Sequence, residues 1–319
     1  MKISVVMAVY NGVHFLKEQL DSLKNQSYQI DEAIIIDDCS SDSSYDLIEQ
    51  YIDRYQLDKW KIIKNDKNLG YRANFKKGLE ISTGDIVFLC DQDDRWRLDK
   101  IETMVGYMHQ EVLTLASSFN FMDQDGKCFK VDKIKGRSNN NLLFQEVKDI
   151  LTPIPLSSLL EMNFSQGCTM AIKREVINIY LEKTTGLLPH DWELNMISSI
   201  KDGCYYLDLP LIDYRIHNHN TIGLSNITDD SYLEEKKKRV NQRIEQTKKQ
   251  VNNVAFALTL DLDRKQKEYC LGYQDYLSYR IKAMENKKAM ALVKYYITGK
   301  YKIYGHFKTF MGDLMNVIK

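Results

Sequence analysis

Residues 86–96 read Ile-Val-Phe-Leu-Cys-Asp-Gln-Asp-Asp-Arg-Trp, a five-residue apolar run that ends in three carboxylates. Apolar residues in unbroken succession, without alternation, mark a strand covered on both faces, as in parallel sheets. The same design occurs upstream, where residues 3–9 lead to Tyr10-Asn11-Gly12 and residues 33–36 lead to Asp37-Asp38. Residues 60–63 form a further short strand, and helical spacing over 15–23, 45–55 and 73–81 fills the intervals. Strands alternating with amphipathic helices imply an α/β fold with a mainly parallel central sheet and right-handed crossovers. Ligands of such sheets sit beyond the carboxyl ends of the strands, so Tyr10, Asn11, Asp37, Asp38, Asp91, Asp93 and Asp94 should share one rim.

Downstream the pattern predicts strands at 114–120 and 168–172, helices at 174–182 and 190–200, and strands over 204–214 broken at Pro210. A turn at 123–126 and a polar loop at 138–141 lie between them. From about residue 229 the pattern is almost wholly helical, which suggests a catalytic domain over 1–228 and a basic helical region over 229–319.

The 319 residues carry 44 Lys and Arg against 44 Asp and Glu, so no global field attracts nucleic acid. The charge is unevenly placed. Residues 234–319 hold 19 basic and 9 acidic residues, a basic surplus that the rest of the chain balances. Such asymmetry suggests an anionic surface as partner of the C-terminal end. Residues 279–319 interleave apolar and aromatic residues with lysines, as in an interfacial helix beside lipid headgroups. A helical cap on the catalytic domain, or a homo-oligomer contact, has the same periodicity. The six cysteines lie far apart, without a Cys-x-x-Cys pair, and suit a reducing cytosol. The apolar stretch near the N-terminus stops at Asn11-Gly12, short of a signal-peptide core, and no segment reaches the ~18 apolar residues of a membrane span. A soluble or peripheral protein is expected.

Three aspartates within four positions raise one another's pKa unless a cation neutralises them. Mg²⁺ characteristically binds through one or two carboxylates plus substrate phosphates, so the segment suggests a metal–diphosphate site. Asp94 would serve equally as the cap of a helix starting at Arg95-Trp96. Asp37-Asp38-Cys39-Ser40 reads either as an Asx turn with a helix cap or as an acceptor for the imide N–H of uracil or thymine.

Together with Val9-Tyr10-Asn11, these segments resemble the donor-nucleotide half of the family 2 glycosyltransferases, inverting enzymes with a GT-A fold. CDQDDRW (90–96), NLGYRANF (68–75), QGCT (166–169), HDW (190–192) and YRIH (214–217) resemble the bacterial rhamnosyltransferase-like branch. The resemblance covers about residues 1–225, and Cys39 departs from it where the family commonly has glycine. It implies that Ala8, Tyr10 and Asp38 hold the base, Asp91 the ribose, and Asp93 an Mn²⁺ or Mg²⁺ ion on the diphosphate. It further implies Asp191 as general base, taking a proton from the acceptor hydroxyl in a single displacement. Asn11 joins the donor-nucleotide set. Arg72 and Arg215 are candidates for phosphate oxygens or for surface ion pairs, and His217, less so His219, for completing the metal site. Asp94, Trp96, Gln166, His190, Trp192 and Arg215 are candidates for the acceptor or sugar pocket.

The implied activity moves a sugar, rhamnose favoured, from a dTDP- or UDP-activated donor to a lipid-linked glycan of a bacterial surface polysaccharide. The implied location is cytoplasmic, peripheral at the inner face of the membrane. Asp191 would alternatively serve as a first-turn acid of helix 190–200. A haloacid-dehalogenase-like phosphatase shares the strand followed by Asp-x-Asp, although its motif belongs nearer the N-terminus with Thr or Val next. A non-catalytic carbohydrate-assembly protein is the third alternative. A dinucleotide oxidoreductase is disfavoured because no Gly-x-Gly-x-x-Gly follows the first strand.

Overall fold

The computed structural model describes residues 1–217 and 234–318, with side chains from residue 242 onward in the second stretch. The chain divides into two compact units, residues 1–159 with 163 onward, and residues 160–162 with the C-terminal helices. The expected division at 228 and 229 falls outside the described residues.

The first unit is an α/β sandwich around a ten-stranded sheet. Its first half follows the apolar runs: β1 (Ile3–Val9), α1 (Val13–Lys24), β2 (Glu32–Asp37), α2 (Ser44–Tyr55), β3 (Trp60–Lys64), α3 (Tyr71–Ile81) and β4 (Ile86–Cys90). β1, β2 and β4 are buried almost throughout, which is why their sequences lack alternation. They pair in parallel, with Val9 opposite Asp37 and Met7 opposite Cys90. That register sets Tyr10, Asp38 and Asp91 at neighbouring strand ends.

The second half is less regular. After β5 (Arg95–Trp96) and α4 (Lys100–Tyr107) come β6 (Thr114–Met122), β7 (Cys128–Phe129), β8 (Leu151–Pro153), α5 (Leu156–Glu161), β9 (Met170–Lys173), α6 (Arg174–Lys183), α7 (His190–Ser199) and β10 (Cys204–Arg215). The strand order is β3-β2-β1-β4-β9-β6-β10-β5, with β7 beside β6 and β8 beside β10. β10 runs parallel to β6, whereas β9 runs antiparallel to both β4 and β6. The sheet is therefore mixed, its longest pairings parallel.

In this unit the structure departs from the sequence expectations at three places. Arg95-Trp96 starts no helix, because both residues pair antiparallel with Asp213 and Ile212 of β10. The helix begins at Lys100, so Asp94 is not its cap. The strand expected at 168–172 begins only at Met170, since Gly167–Thr169 is a 3₁₀ turn. Pro210 does not break β10, and the strand absorbs it as register shifts on either side. In the polar loop, Asn139, Asn140 and Asn141 all take positive φ and donate side-chain hydrogen bonds to the carbonyls of Phe164, Phe119 and Asp132. Asparagine tolerates that conformation better than most residues, and here it pins the loop.

The second unit contains α8 (Glu234–Ala257), α9 (Arg264–Glu285), α10 (Ala289–Ile297), α11 (Lys300–Tyr304) and α12 (Phe307–Ile318). α9 opens with a capping box between Asp263 and Gln266. The interfacial helix expected over 279–319 is instead the end of α9 followed by three short helices, with Gly299 and Gly305 between them. Asp313 is fully buried and accepts from Arg280 at 2.6 and 3.0 Å, from Tyr301 at 2.8 Å and from Arg243 at 3.2 Å. No helix among the described residues is long and apolar enough to cross a membrane.

Removing one member of a buried ion pair typically costs 3–5 kcal/mol, because the partner charge stays buried. Asp313→Asn should therefore lower the stability of the helical unit by about 3 kcal/mol or more, read as lost hydrogen-exchange protection in α9 and α12. Unchanged protection in these helices contradicts the account.

Candidate active site

The rim is built from loops that fix one another. At the end of β1, the Gln92 side-chain amide pairs with Tyr10 as a strand would, accepting from its N–H at 2.8 Å and donating to its carbonyl at 3.0 Å. A Cβ at Gly12 would lie 2.3 Å from Gln92 Oε1, so a side chain there would break this pairing. Asn11 has φ of 49° and accepts from Ser41 N–H, while its own N–H donates to Ser40 Oγ. Ala8 is the one residue of β1 that is not fully buried, and Tyr10 is 48% exposed, so both can face a ligand.

At the end of β2, Asp37 accepts from Ser40 N–H at 3.0 Å, the Asx turn considered above. Cys39 takes φ of 61°, which explains why glycine suits this position. Asp38 is buried and gathers the loop after β3. Its Oδ1 accepts from Asn65 and Leu69 N–H, both at 2.8 Å, and its Oδ2 from Gly70 N–H at 2.7 Å.

At the end of β4 the three carboxylates have different surroundings. Asp93 is partly exposed, and its Oδ2 lies 2.7 Å from His217 Nε2, whose ring packs on Phe15. Asp91 is half-buried, and its carboxyl is pushed up to about 7 by burial and by the Asp93 charge. Asp94 is fully buried, accepts from Arg215 N–H at 2.9 Å through Oδ1, and has no partner on Oδ2. Burial and the neighbouring aspartates push its carboxyl well above the usual range. Beneath them Lys100, also fully buried, donates to the Cys168 carbonyl at 2.6 Å and lies 3.4 Å above the Trp96 ring. Burial pushes its ammonium down to about 8, opposed by the surrounding acidic groups.

Two clusters here could hold a cation. Donor atoms of Asp91, Asp94 and Cys168 lie within 4.8 Å of one another. Burial pushes the Cys168 thiol far up, and a neutral thiol is a poor ligand for a hard ion. Asp93 and His217 offer a carboxylate oxygen and an imidazole nitrogen already side by side; the carboxylate suits Mn²⁺ or Mg²⁺, and the softer imidazole donor favours the transition-metal ion of the two.

Asp191 occupies the first turn of α7 and is 7% exposed. Its oxygens accept from Trp192 N–H at 2.9 Å and from Asn163 Nδ2 at 2.8 Å. Burial outweighs these bonds and pushes its carboxyl up to about 6. Its charge reaches Asp91, and Arg72 is near enough to act on both Asp191 and His190. The Arg72 guanidinium donates to the Gly186 carbonyl. His190 stacks on Phe75 with centroids 4.3 Å apart, and neither ring nitrogen has a partner. Burial holds its imidazole down at about 3, hence neutral. Gln166 Oε1 is likewise unpartnered, and Trp192 donates its indole N–H to the Leu159 carbonyl.

Asp94, Trp96 and Arg215, expected in the sugar pocket, lie beneath the rim instead, at 0, 2 and 1% exposure. Arg215 donates to the carbonyls of Asp93, Asp123 and Gln124 and pairs with Glu18. It ties the floor together and does not await a phosphate. His219 lies outside the described residues. Sequence reasoning missed Gln92, Asn163 and Lys100, whose roles arise from partners distant in sequence.

The glycosyl transferase family 2 profile matches residues 4–178, and the chain belongs to that family. An uncharacterized glycosyltransferase of Haemophilus influenzae is 35% identical over 130 residues, covering 40% of this chain and 51% of its own length. TuaG of Bacillus subtilis, whose name assigns it to teichuronic acid biosynthesis, is 31% identical over 127 residues, covering 39% and 49%. The chain thus spans about half the length of these curated relatives. Among solved structures, S. aureus TarS 1-349 in complex with UDP-GlcNAc superposes with a TM-score of 0.60 at 16% identity, over 99% of this chain and 89% of its own. A mannosyltransferase from Pyrobaculum calidifontis in complex with GDP-Man and Mn²⁺ gives 0.55 at 16% identity, over 99% and 86%. At such identities these two likenesses concern the fold.

A carboxyl whose folded pKa is raised keeps its proton longer in the native state, so its contribution to stability is lost as pH rises through that pKa. For Asp191 the window runs from about 4 to 6, worth about 3 kcal/mol at most for a shift of about two units. Asp191→Asn should remove this decline, so the variant gains on the wild type in melting temperature between pH 4 and 7. A constant difference between the two across that range contradicts the assignment.

Proposed function

We propose that this chain is a metal-dependent inverting glycosyltransferase. It takes a sugar from a dTDP- or UDP-activated donor, L-rhamnose favoured by the motif resemblance, and delivers it to a lipid-linked glycan of a bacterial surface polysaccharide. The observation that carries this reading is a buried carboxyl, Asp191, whose charge reaches Asp91 next to the Asp93–His217 carboxylate and imidazole pair. The named roles of TuaG and the nucleotide sugar bound to TarS support the substrate class. Family membership removes the phosphatase alternative, and a non-catalytic role is disfavoured because every acidic candidate remains.

In the proposed reaction Ala8, Tyr10 and Asn11 contact the base. Asp38 fixes the 65–70 loop beside it, and its Oδ2, with one protein donor, keeps a lone pair for the imide N–H of uracil or thymine. Asp91 accepts from the ribose hydroxyls. Asp93 and His217 would hold Mn²⁺ or Mg²⁺, which when bound supplies Lewis-acid neutralisation of the departing nucleoside diphosphate. Asp191, with both oxygens oriented by Asn163 and Trp192, takes the proton of the acceptor hydroxyl as that oxygen attacks the anomeric carbon from the opposite side. Burial pushes its pKa up to about 6, toward the neutral range where a general base is most effective. His190, neutral and with two unpartnered nitrogens, and Gln166 supply hydrogen bonds to sugar hydroxyls. A lipid-linked acceptor places the enzyme at the cytoplasmic face of a membrane.

Because the base works ionised, kcat/KM should rise through pH 6, about tenfold per unit below it, and level off above; a flat profile from pH 5 to 7 contradicts the assignment. Asp191→Asn should cut transfer by about 10²-fold or more while donor affinity survives. Asp93→Asn keeps the side-chain shape but removes a ligand charge. It should abolish the Mn²⁺-dependent part of UDP or dTDP stabilisation in a thermal shift assay, where saturating ligand stabilises by about 3 kcal/mol. Wild-type behaviour of this variant removes Asp93 from the metal site.

A further inference from the structure

The three C-terminal helices have two apolar sides. One is packed: Leu292, Tyr301, Phe310 and Val317 are buried within the helical unit. The other is open. Met290 is 69% exposed, Ile297 77%, Ile303 58% and Phe307 61%. Tyr296 stacks on Phe310 at 4.3 Å and meets the Phe307 ring at 6.2 Å, so the end of α10 and the start of α12 adjoin. Ile297, Ile303 and Phe307 thus lie in or beside the Gly299–Gly305 segment as largely exposed side chains, although the Phe307 ring also meets Tyr296 and Phe310.

Along the chain the charge of these helices has one sign up to residue 312, although Asp275 of α9 lies near enough to act on Tyr295 of α10. From residue 286 to 312 the sequence holds Lys287, Lys288, Lys294, Lys300, Lys302 and Lys308, and no Asp or Glu. Lys287, Lys288, Lys294, Lys302 and Lys308 are exposed. Exposed apolar side chains interspersed along the chain with exposed lysines match the layered chemistry of an anionic bilayer, where side chains enter the acyl boundary while ammonium groups meet phosphates. A second copy of this face would bring lysines against lysines, which disfavours self-association through it. The packed side is used up within the helical unit, and that packing leaves the open side unexplained.

We propose that the open face of α10, α11 and α12 is a docking surface for an anionic lipid bilayer, with Ile297, Ile303 and Phe307 inserted and the lysines on the headgroups. The proposal deepens the reading of a lipid-linked acceptor and rests on it for its purpose, but its test is independent of catalysis. The full chain is sedimented with phosphatidylcholine vesicles with and without phosphatidylglycerol. Binding should require phosphatidylglycerol and be released at about 1 M salt, where the Debye length is about 3 Å.

Each lysine at an anionic surface contributes about fivefold to binding, so Lys302→Gln with Lys308→Gln should weaken it about 25-fold. Ile297→Ser with Phe307→Ser should also weaken it, while donor binding in solution stays at the wild-type level in both variants. Binding to neutral vesicles alike, or binding unchanged in both variants, overturns the proposal. So does a dimer by light scattering that the Ile297→Ser, Phe307→Ser variant dissociates, since the face would then be a contact between copies. Vesicle binding without sugar transfer sinks the proposed enzymatic reading and leaves the docking surface standing.

Discussion

The site depends on one buried tie between two strand ends. Asp94, just beyond β4, accepts from the backbone N–H of Arg215 at the end of β10, 121 residues away. The Arg215 guanidinium then bonds the carbonyls of Asp93, Asp123 and Gln124 and pairs with Glu18 of α1. Both residues are essentially inaccessible to solvent, so the bonds form at low dielectric, where leaving either partner unmatched is costly. With Arg215 so fixed, the chain delivers His217 onto Asp93 two residues later. The same tie explains why Arg95-Trp96 is a strand. Pairing with Asp213 and Ile212 follows once the two chain ends are locked together.

The tie also concentrates negative charge. Asp91, Asp93 and Asp94 lie together with Asp191 near enough to act on Asp91; burial and the neighbouring carboxylates push Asp91 up to about 7, and burial pushes Asp191 up to about 6. Lys100 offsets part of this from below, held by the Cys168 carbonyl and the Trp96 face. A rim that repels itself is held in a state that a divalent cation relieves. The two acids have separate supports, His217 for Asp93 and Asn163 for Asp191. The proposed division of labour, one acid for the leaving diphosphate and one for the incoming hydroxyl, rests on that separation.

The first half of the fold was legible because β1, β2 and β4 are buried on both faces, so each is an unbroken apolar run ending in a polar turn. The rim residues were legible for the same reason, since strand ends deliver them. What could not be read is long-range pairing. Nothing local in Arg95-Trp96 reveals β10 as a partner, and Asp94 and Arg215 look like site residues although they form the floor. Lys100 looks like any lysine at a helix start. The run of asparagines at 139–141 reads as a solvent loop, yet its side chains pin three distant carbonyls. Only the hydrogen-bond partners, absent from any window of sequence, distinguish these cases.

The proposed reaction is a single displacement, with Asp191 the only carboxylate asked to handle the acceptor and no covalent sugar on the enzyme. Stereochemistry tests this without any variant. In an NMR measurement of the product linkage formed from a dTDP- or UDP-sugar of defined anomeric configuration, the account predicts the opposite configuration at the transferred carbon. Retention of the donor's configuration contradicts it.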